Sequence, residues 1–311
     1  MSVISTDRSN GLAGSTRSAT PSTGGFSSSL HEVQRSVLAE LLTSYPYNSA
    51  SQLHEYFGGG PLPPSFGGSC AWQSFEAGRA VAERSGVESE YRIDGRHVAA
   101  VHRDAEGITI LDPYLLHRLP LRLERADAVD STVSLTAEAY PLRVRADGSP
   151  APSRVRVRWN LDDDSVGLNY LRFSPRRGHQ VISRSFLMRA DQVLTEAPPA
   201  ADRVRPLLLH PEQHSVSVRV LHPDTRQLAE LVLPLAGQGQ RIDAQSLITK
   251  DNQGAVARRG TRAFDRDREV VADAVGAPVQ DVESALLEAA ELHRGAAPAA
   301  LELADYSLED E

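Results

Sequence analysis

The sequence contains a single cysteine among 311 residues and no long apolar run. One thiol cannot form an internal disulfide, which excludes a disulfide-stapled scaffold and favours a reducing, cytoplasmic compartment. Because no segment reaches the length of a bilayer span, we expect no membrane partner. Basic residues are also in the minority, with 33 Lys and Arg against 41 Asp and Glu, which gives a net charge of −8. An acidic chain gains little from counterion release, so we expect no nucleic acid partner.

Enough apolar residues are present for a sizeable core, since 41% of the chain is hydrophobic and 24% is charged. The order of the patterns predicts an α+β fold with three lobes. A helical lobe over residues 30–90 carries the cysteine, and a β-rich lobe over 91–235 forms an antiparallel barrel or sheet. A mixed α/β lobe over 236–300 is predicted to act as a lid. Residues 1–29 predict a disordered leader, because they are rich in Ser, Thr, Gly and Ala, and residues 301–311 predict an acidic tail.

Apolar periodicity places the cysteine at the start of a helix. Apolar positions at three- and four-residue steps predict a helix from Cys70 to about Ser85, which Gly86 ends. Beyond that glycine the apolar period changes to two, which predicts strands over 98–101 and 108–111. A turn signal separates these strands, so they are expected to be antiparallel neighbours.

Three residues in this region have the order of a thiol acyl-transfer triad. Cys70 follows a glycine turn, His97 begins one predicted strand, and Asp112 ends the next. A thiolate is stabilised by the N-terminus of a helix and by a neighbouring imidazolium, and a carboxylate orients that imidazole. The sequence therefore predicts Cys70 as nucleophile, His97 as base and then acid, and Asp112 as the group that orients the histidine.

Each of these residues also has a structural interpretation without chemistry. A free cysteine is most often a small buried hydrophobe, and an Asp-Pro pair often only caps a turn. His102 is the main competitor for the role of His97, but alternation along a strand sends these two side chains to opposite faces. The ten histidines show no spacing typical of metal ligands, so no metal site is predicted.

The segment Gly67-Gly68-Ser69-Cys70 resembles the Arg-Gly-Gly-x-Cys signature of arylamine N-acetyltransferases. The segments at 45–48, 95–98 and 110–114 resemble their Ile-Pro-Phe-Glu-Asn segment, triad histidine strand and triad aspartate strand end. The residues at 184–187 also resemble a strand of that family. Phe66 stands where the family has arginine. The resemblance implies a thiol-enzyme fold of three lobes, and relatives of the family include amide synthases that take acyl chains from a carrier protein.

The resemblance further implies an acyltransferase that works through an acyl-cysteine. No tightly bound cofactor is expected, and acyl-CoA or a phosphopantetheine thioester is the expected co-substrate. The expected partners are a small-molecule amine or hydroxyl acceptor and, as an alternative donor, an acyl carrier protein. Arg176 and Arg177 form a basic loop that we interpret as a phosphate anchor, because arginine forks suit phosphate, although a solvated turn is the simpler interpretation. Two other functions remain open: a transglutaminase-like cysteine peptidase or transamidase, and a catalytically inactive binding protein.

Overall fold

The computed structural model describes residues 24–235, 242–304 and 306, and within them the fold is mixed α+β, as predicted. The described α-helices are α1 (Gly24–Ser44), α2 (Ser51–Phe57), α3 (Cys70–Ser85), α4 (Ala201–Leu208), α5 (Arg262–Val275) and α6 (Val279–Ala296). No described helix is both long and apolar enough to cross a membrane. Helix α1 begins inside the predicted leader, whose residues 1–23 lie outside the described part of the chain, as does most of the predicted acidic tail.

The described strands form three antiparallel sheets. The first is β2 (Glu90–Asp94), β3 (His97–Arg103), β4 (Gly107–Leu111) and β5 (Leu121–Glu124), in that order. The second is β6 (Thr132–Val144), β7 (Pro150–Asn160), β8 (Val166–Ser174) and β9 (His179–Met188), also in chain order. The third has the order β1 (Tyr47–Asn48), β10 (Ser215–Leu221), β11 (Leu228–Pro234), β12 (Ile248–Lys250) and β13 (Val256–Arg258).

None of these sheets closes into a barrel, so of the two predicted alternatives the antiparallel sheet is confirmed and the barrel is wrong. A barrel requires its first and last strands to pair, whereas the ladder of each sheet here stops at its edge strands. The first two sheets instead share one apolar core. Strand β7 shows the pattern: Val155, Val157 and Trp159 are buried in that core, and the three arginines that alternate with them are exposed.

The third sheet joins distant parts of the chain. Strands β10 to β13 pack their apolar side chains against α2, α5 and α6, and β1 pairs with β10 at one edge. The predicted boundary between residues 235 and 236 lies between β11 and β12, which are neighbours in this sheet. Residues 236–241, which connect the two strands, lie outside the described part of the chain.

Helix α3 lies where the three sheets and α1 come together. Its residues Ala77 and Val81 are buried in a core with Ala100 of β3 and Leu111 of β4. Gly86 ends the helix in a left-handed conformation with φ 72°, as predicted from its sequence. The packing against β3 fixes the direction of α3 and therefore the place of its first residue, Cys70.

Candidate active site

A tight turn delivers Cys70 to the N-terminus of α3. Gly67 has φ 70°, and a Cβ at this position would lie 1.9 Å from the carbonyl oxygen of Pro46, so only glycine fits. The Gly68 amide donates to that same carbonyl at 3.1 Å, and the Asn48 amide donates to the Gly68 carbonyl at 2.8 Å. The turn is therefore held against the β1 segment, and its geometry leaves Cys70 in the first turn of a helix, where backbone amides lack intrahelical acceptors.

Two side chains of α3 fix this helix on strand β3. The Ser74 hydroxyl donates to the Val98 carbonyl at 2.7 Å, and the Cys70 sulfur lies 3.8 Å from the Arg96 carbonyl oxygen. Cys70 and Ser74 are four residues apart and share one face of the helix. Their two carbonyl partners lie on either side of residue 97 in the chain, so the helix is docked with its cysteine next to His97.

His97 and Asp112 form a buried hydrogen-bonded pair. His97 Nε2 lies 2.7 Å from Asp112 Oδ2, and the two side chains are 3% and 0% exposed. His97 begins β3 and Asp112 directly follows β4, so these neighbouring antiparallel strands bring the two residues together, as predicted. Burial lowers the pKa of His97, but the Asp112 carboxylate and the Cys70 thiol raise it further, and the net effect is a pKa of about 10. The carboxylate of Asp112 therefore favours the protonated form of the imidazole.

The ring of His97 has its second nitrogen available for the cysteine. Asp112 occupies Nε2, and buried Nδ1 has no hydrogen-bond partner of ordinary geometry. Since Cys70 and His97 line the same cavity, Nδ1 is the ring nitrogen left for the sulfur. Phe186 stacks on the ring with centroids 3.8 Å apart at 17°, and Tyr114 lies 5.3 Å away at a tilt. These rings restrict the imidazole to one orientation.

His117 holds the backbone of Asp112 and was not predicted from the sequence. Its Nε2 accepts the Asp112 amide at 2.9 Å, and its Nδ1–H donates to the Leu119 carbonyl at 2.7 Å. Burial lowers the pKa of His117, so the ring is neutral and its tautomer is fixed by these two bonds. No spacing in the sequence distinguishes this histidine from an ordinary turn residue.

His102, the competing histidine, is not part of the site. It is buried on the opposite face of β3, where its Nε2 lies 2.9 Å from the Ser89 hydroxyl. Burial lowers the pKa of His102 to about 4. It does not line the cavity that contains Cys70. The prediction that at most one of these two histidines meets the cysteine agrees with this geometry, and that histidine is His97.

Cys70 and His97 open into a cavity of about 430 Å³. Its other walls come from the first turns of α3, the β2–β3 turn, strand β9 and helix α4. The lining residues include Trp72, Phe75, Asp94, Arg96, Tyr114, Arg184, Phe186, Leu207 and Glu212. The cavity therefore combines aromatic and aliphatic walls with a few polar groups, which is typical of a site for a small organic molecule.

The predicted phosphate anchor lies elsewhere. Arg176 and Arg177 are in the turn between β8 and β9, and neither lines this cavity. Strand β9 runs from that turn to the cavity wall at Arg184, which is about 20 Å farther along an extended strand. The arginines that do line the cavity are Arg96 and Arg184. Arg96 donates to Gln213 Oε1 at 2.9 Å and to the Leu207 carbonyl at 3.3 Å, which ties the β2–β3 turn to α4 and its following loop.

Within the described residues, no group of three or more His, Cys, Asp or Glu side chains is arranged to hold a metal ion. Comparison of the chain with family models, with curated proteins and with solved structures finds no match.

Proposed function

We propose that the protein is an acyltransferase that moves an acyl group from a thioester through an acyl-cysteine to an amine or hydroxyl acceptor. The observation that carries this proposal is that Cys70, at a helix N-terminus, and His97 line one cavity, and that buried Asp112 is hydrogen-bonded to His97 and favours its protonated form. The resemblance of the segments around these residues to arylamine N-acetyltransferases and amide synthases supports a thioester as donor. The compartment we propose is the cytoplasm, where a lone thiol stays reduced.

The first step transfers the acyl group to the protein. The Cys70 thiolate attacks the thioester carbonyl carbon, and backbone amides of the first turn of α3 donate to the oxygen that becomes negative. When the tetrahedral intermediate collapses, the bond to the donor sulfur breaks. The proton on His97 Nδ1 goes to the leaving thiolate, which departs as coenzyme A or as the thiol of a carrier arm. One thioester is exchanged for another, so the step needs no external energy source.

The second step discharges the acyl-cysteine. His97, now neutral, accepts the proton of the acceptor as its amine or hydroxyl attacks the acyl carbon. The carbon–sulfur bond then breaks, and the Cys70 thiolate returns beside an imidazolium. Asp112 carries no proton in either step, and its charge stabilises the imidazolium at the beginning and at the end of the cycle.

Intact mass spectrometry tests the proposal directly. Wild-type protein is mixed with a panel of acyl-CoA and acyl-N-acetylcysteamine thioesters, and one acyl adduct per chain is expected. Cys70→Ala should acquire no adduct and transfer no acyl group, while its thermal midpoint stays within about 2 °C of wild type, because a small side chain replaces a half-buried thiol. Cleavage of a peptide or isopeptide without any thioester adduct would favour the peptidase. Absence of both reactions would favour the non-catalytic binding protein.

A further inference from the structure

Strand β9 carries an irregularity where it forms the cavity wall. Tyr170 of β8 pairs with Arg184, whereas Leu171 pairs with Ile182, so Ser183 is one extra residue in β9. A β-bulge re-aims the side chains beside it, and such bulges are over-represented next to active sites. Ile182 on one side of the bulge is 59% exposed, and Arg184 on the other side lines the cavity.

Arg184 presents part of its guanidinium to the cavity without a carboxylate partner. Its Nε donates to the Tyr114 hydroxyl at 3.2 Å, and its Nη1 donates to the Ser183 carbonyl at 2.7 Å. Among the described residues no carboxylate forms an ion pair with it, and Glu230 acts on it only at longer range. Glu230 does not line the cavity, whereas the carboxylates of Asp94 and Glu212 do. Asp94 accepts the Leu187 amide at 2.8 Å, and neither Asp94 nor Glu212 is bonded to Arg184.

The guanidinium and the triad share one cavity and one neighbouring tyrosine. Tyr114, which accepts the bond from Arg184, lies with its ring 5.3 Å from the ring of His97. A single tyrosine therefore separates Arg184 from the triad. The phosphates of coenzyme A or of a carrier arm are separated from the thioester sulfur by the whole pantetheine chain. An anion at Arg184 would instead lie in the same cavity as the carbonyl carbon that Cys70 attacks, nearer to it than those phosphates.

We propose that Arg184 forms an anion subsite that selects a carboxylate on the acyl group or on the acceptor, an inference that rests on the proposed acyl transfer for its biological meaning. A guanidinium binds a carboxylate with two parallel N–H donors, and the remaining donors of Arg184 offer this fork. The Tyr114 contact fixes the side chain in advance, so little rotamer freedom is lost on binding. The bulge at Ser183 is what turns the arginine toward the cavity.

Binding of benzoate and of its neutral isostere benzamide tests the subsite without any turnover. We expect calorimetry to show that the wild-type protein binds benzoate more tightly than benzamide. We expect R184Q to weaken benzoate binding by about tenfold or more, since a hydrogen bond to a charged group is lost. R158Q is the matched control, because Arg158 is an exposed arginine on the outward face of the same sheet. Equal affinity for the two probes, no binding of benzoate, or unchanged benzoate binding by R184Q overturns the proposal.

Two kinetic arms identify which substrate carries the carboxylate. The donor arm compares N-acetylcysteamine thioesters of succinate and of its monomethyl ester, and the acceptor arm compares glycine with glycinamide. Because the members of each pair differ in intrinsic reactivity, the readout is the change in their kcat/KM ratio between wild type and R184Q, with a fall of about tenfold expected in one arm. An acyl adduct on Cys70 with unchanged ratios in both arms overturns the subsite alone. Benzoate binding through Arg184 without any acyl adduct overturns the proposed function alone.

Discussion

Asp112 holds a positive charge on His97, and Asp112→Asn should remove that charge at neutral pH. Burial alone lowers the pKa of this histidine, whereas the carboxylate is the largest of the influences that raise it from 6.5 to about 10. Asparagine keeps the shape and an oxygen for Nε2 but has no charge. A rise from 6.5 to about 10 corresponds to about 5 kcal/mol, at about 1.4 kcal/mol for each pH unit.

The pH dependence of stability gives the sharpest test of this magnitude. Because the pKa of His97 is higher in the folded than in the unfolded protein, its stabilisation is complete below about pH 6.5 and is lost as the pH rises through about 10. We therefore expect urea denaturation to show wild type several kcal/mol more stable than Asp112→Asn at about pH 6. The difference should shrink toward zero near pH 10. Titrating groups other than His97 and Asp112 are common to both proteins and cancel in the comparison.

The single cysteine provides a second readout of the same change. Cys70 is the one thiol in the sequence that iodoacetamide can alkylate, and iodoacetamide reacts with thiolates, which a neighbouring imidazolium stabilises in general. Alkylation of Asp112→Asn should be several-fold slower than that of wild type between about pH 7 and 9, where the mutant imidazole is neutral. Asp104→Asn, which breaks a surface ion pair with Arg122, is the control. Superimposable stability and alkylation profiles for wild type and Asp112→Asn would refute the reasoning.

Other substitutions test the parts that hold the site. Gly67→Ala should be at least about 2 kcal/mol more destabilising in urea than Gly86→Ala, since both glycines have similar positive φ but only the first has a carbonyl oxygen 1.9 Å from the new Cβ; equal losses would contradict the clash. His117→Ala should lower acyl transfer about tenfold or more by freeing the triad aspartate, and His117→Gln, which keeps an acceptor, should restore part of the rate; a rate that does not respond to either change would exclude a positioning role. His102→Ala should retain the acyl transfer that His97→Ala loses. If His97→Ala stays active and His102→Ala does not, the catalytic base lies on the other face of β3.

The parts of the site that the sequence predicts are those encoded by local signals. The glycine turn, the apolar period of α3 and the terminal Gly86 are contiguous, and they predict the start and end of that helix as the structure has them. His97 and Asp112 are 15 residues apart on strands joined by a short turn, so their pairing follows from a hairpin. Local hydrogen bonding and alternation are sufficient for these predictions.

The parts that the sequence does not predict depend on distant partners. Strand β1 has only two residues, too few for any period, and it exists because β10 pairs with it. The choice between a barrel and an open sheet stayed undecided, because strand patterns do not reveal which edges remain unpaired. Arg176 and Arg177 attract attention as a doublet, whereas Arg184 is a single arginine whose direction is set by the bulge at Ser183, and nothing in the local sequence marks that bulge.

The pairing of β1 with β10 has a consequence for when the thiol becomes reactive during synthesis. The turn before Cys70 is hydrogen-bonded to the β1 segment. Ser49, which follows β1, accepts a hydrogen bond from the Ser217 amide, 168 residues later in the chain. A ribosome therefore finishes all three triad residues long before the strand that anchors the nucleophile turn has left the exit tunnel. Long-range contacts of this kind also form late, because a large loop must close before they are made. We therefore expect Cys70 to reach its folded position only after the C-terminal half of the chain, which contains β10, has been synthesised.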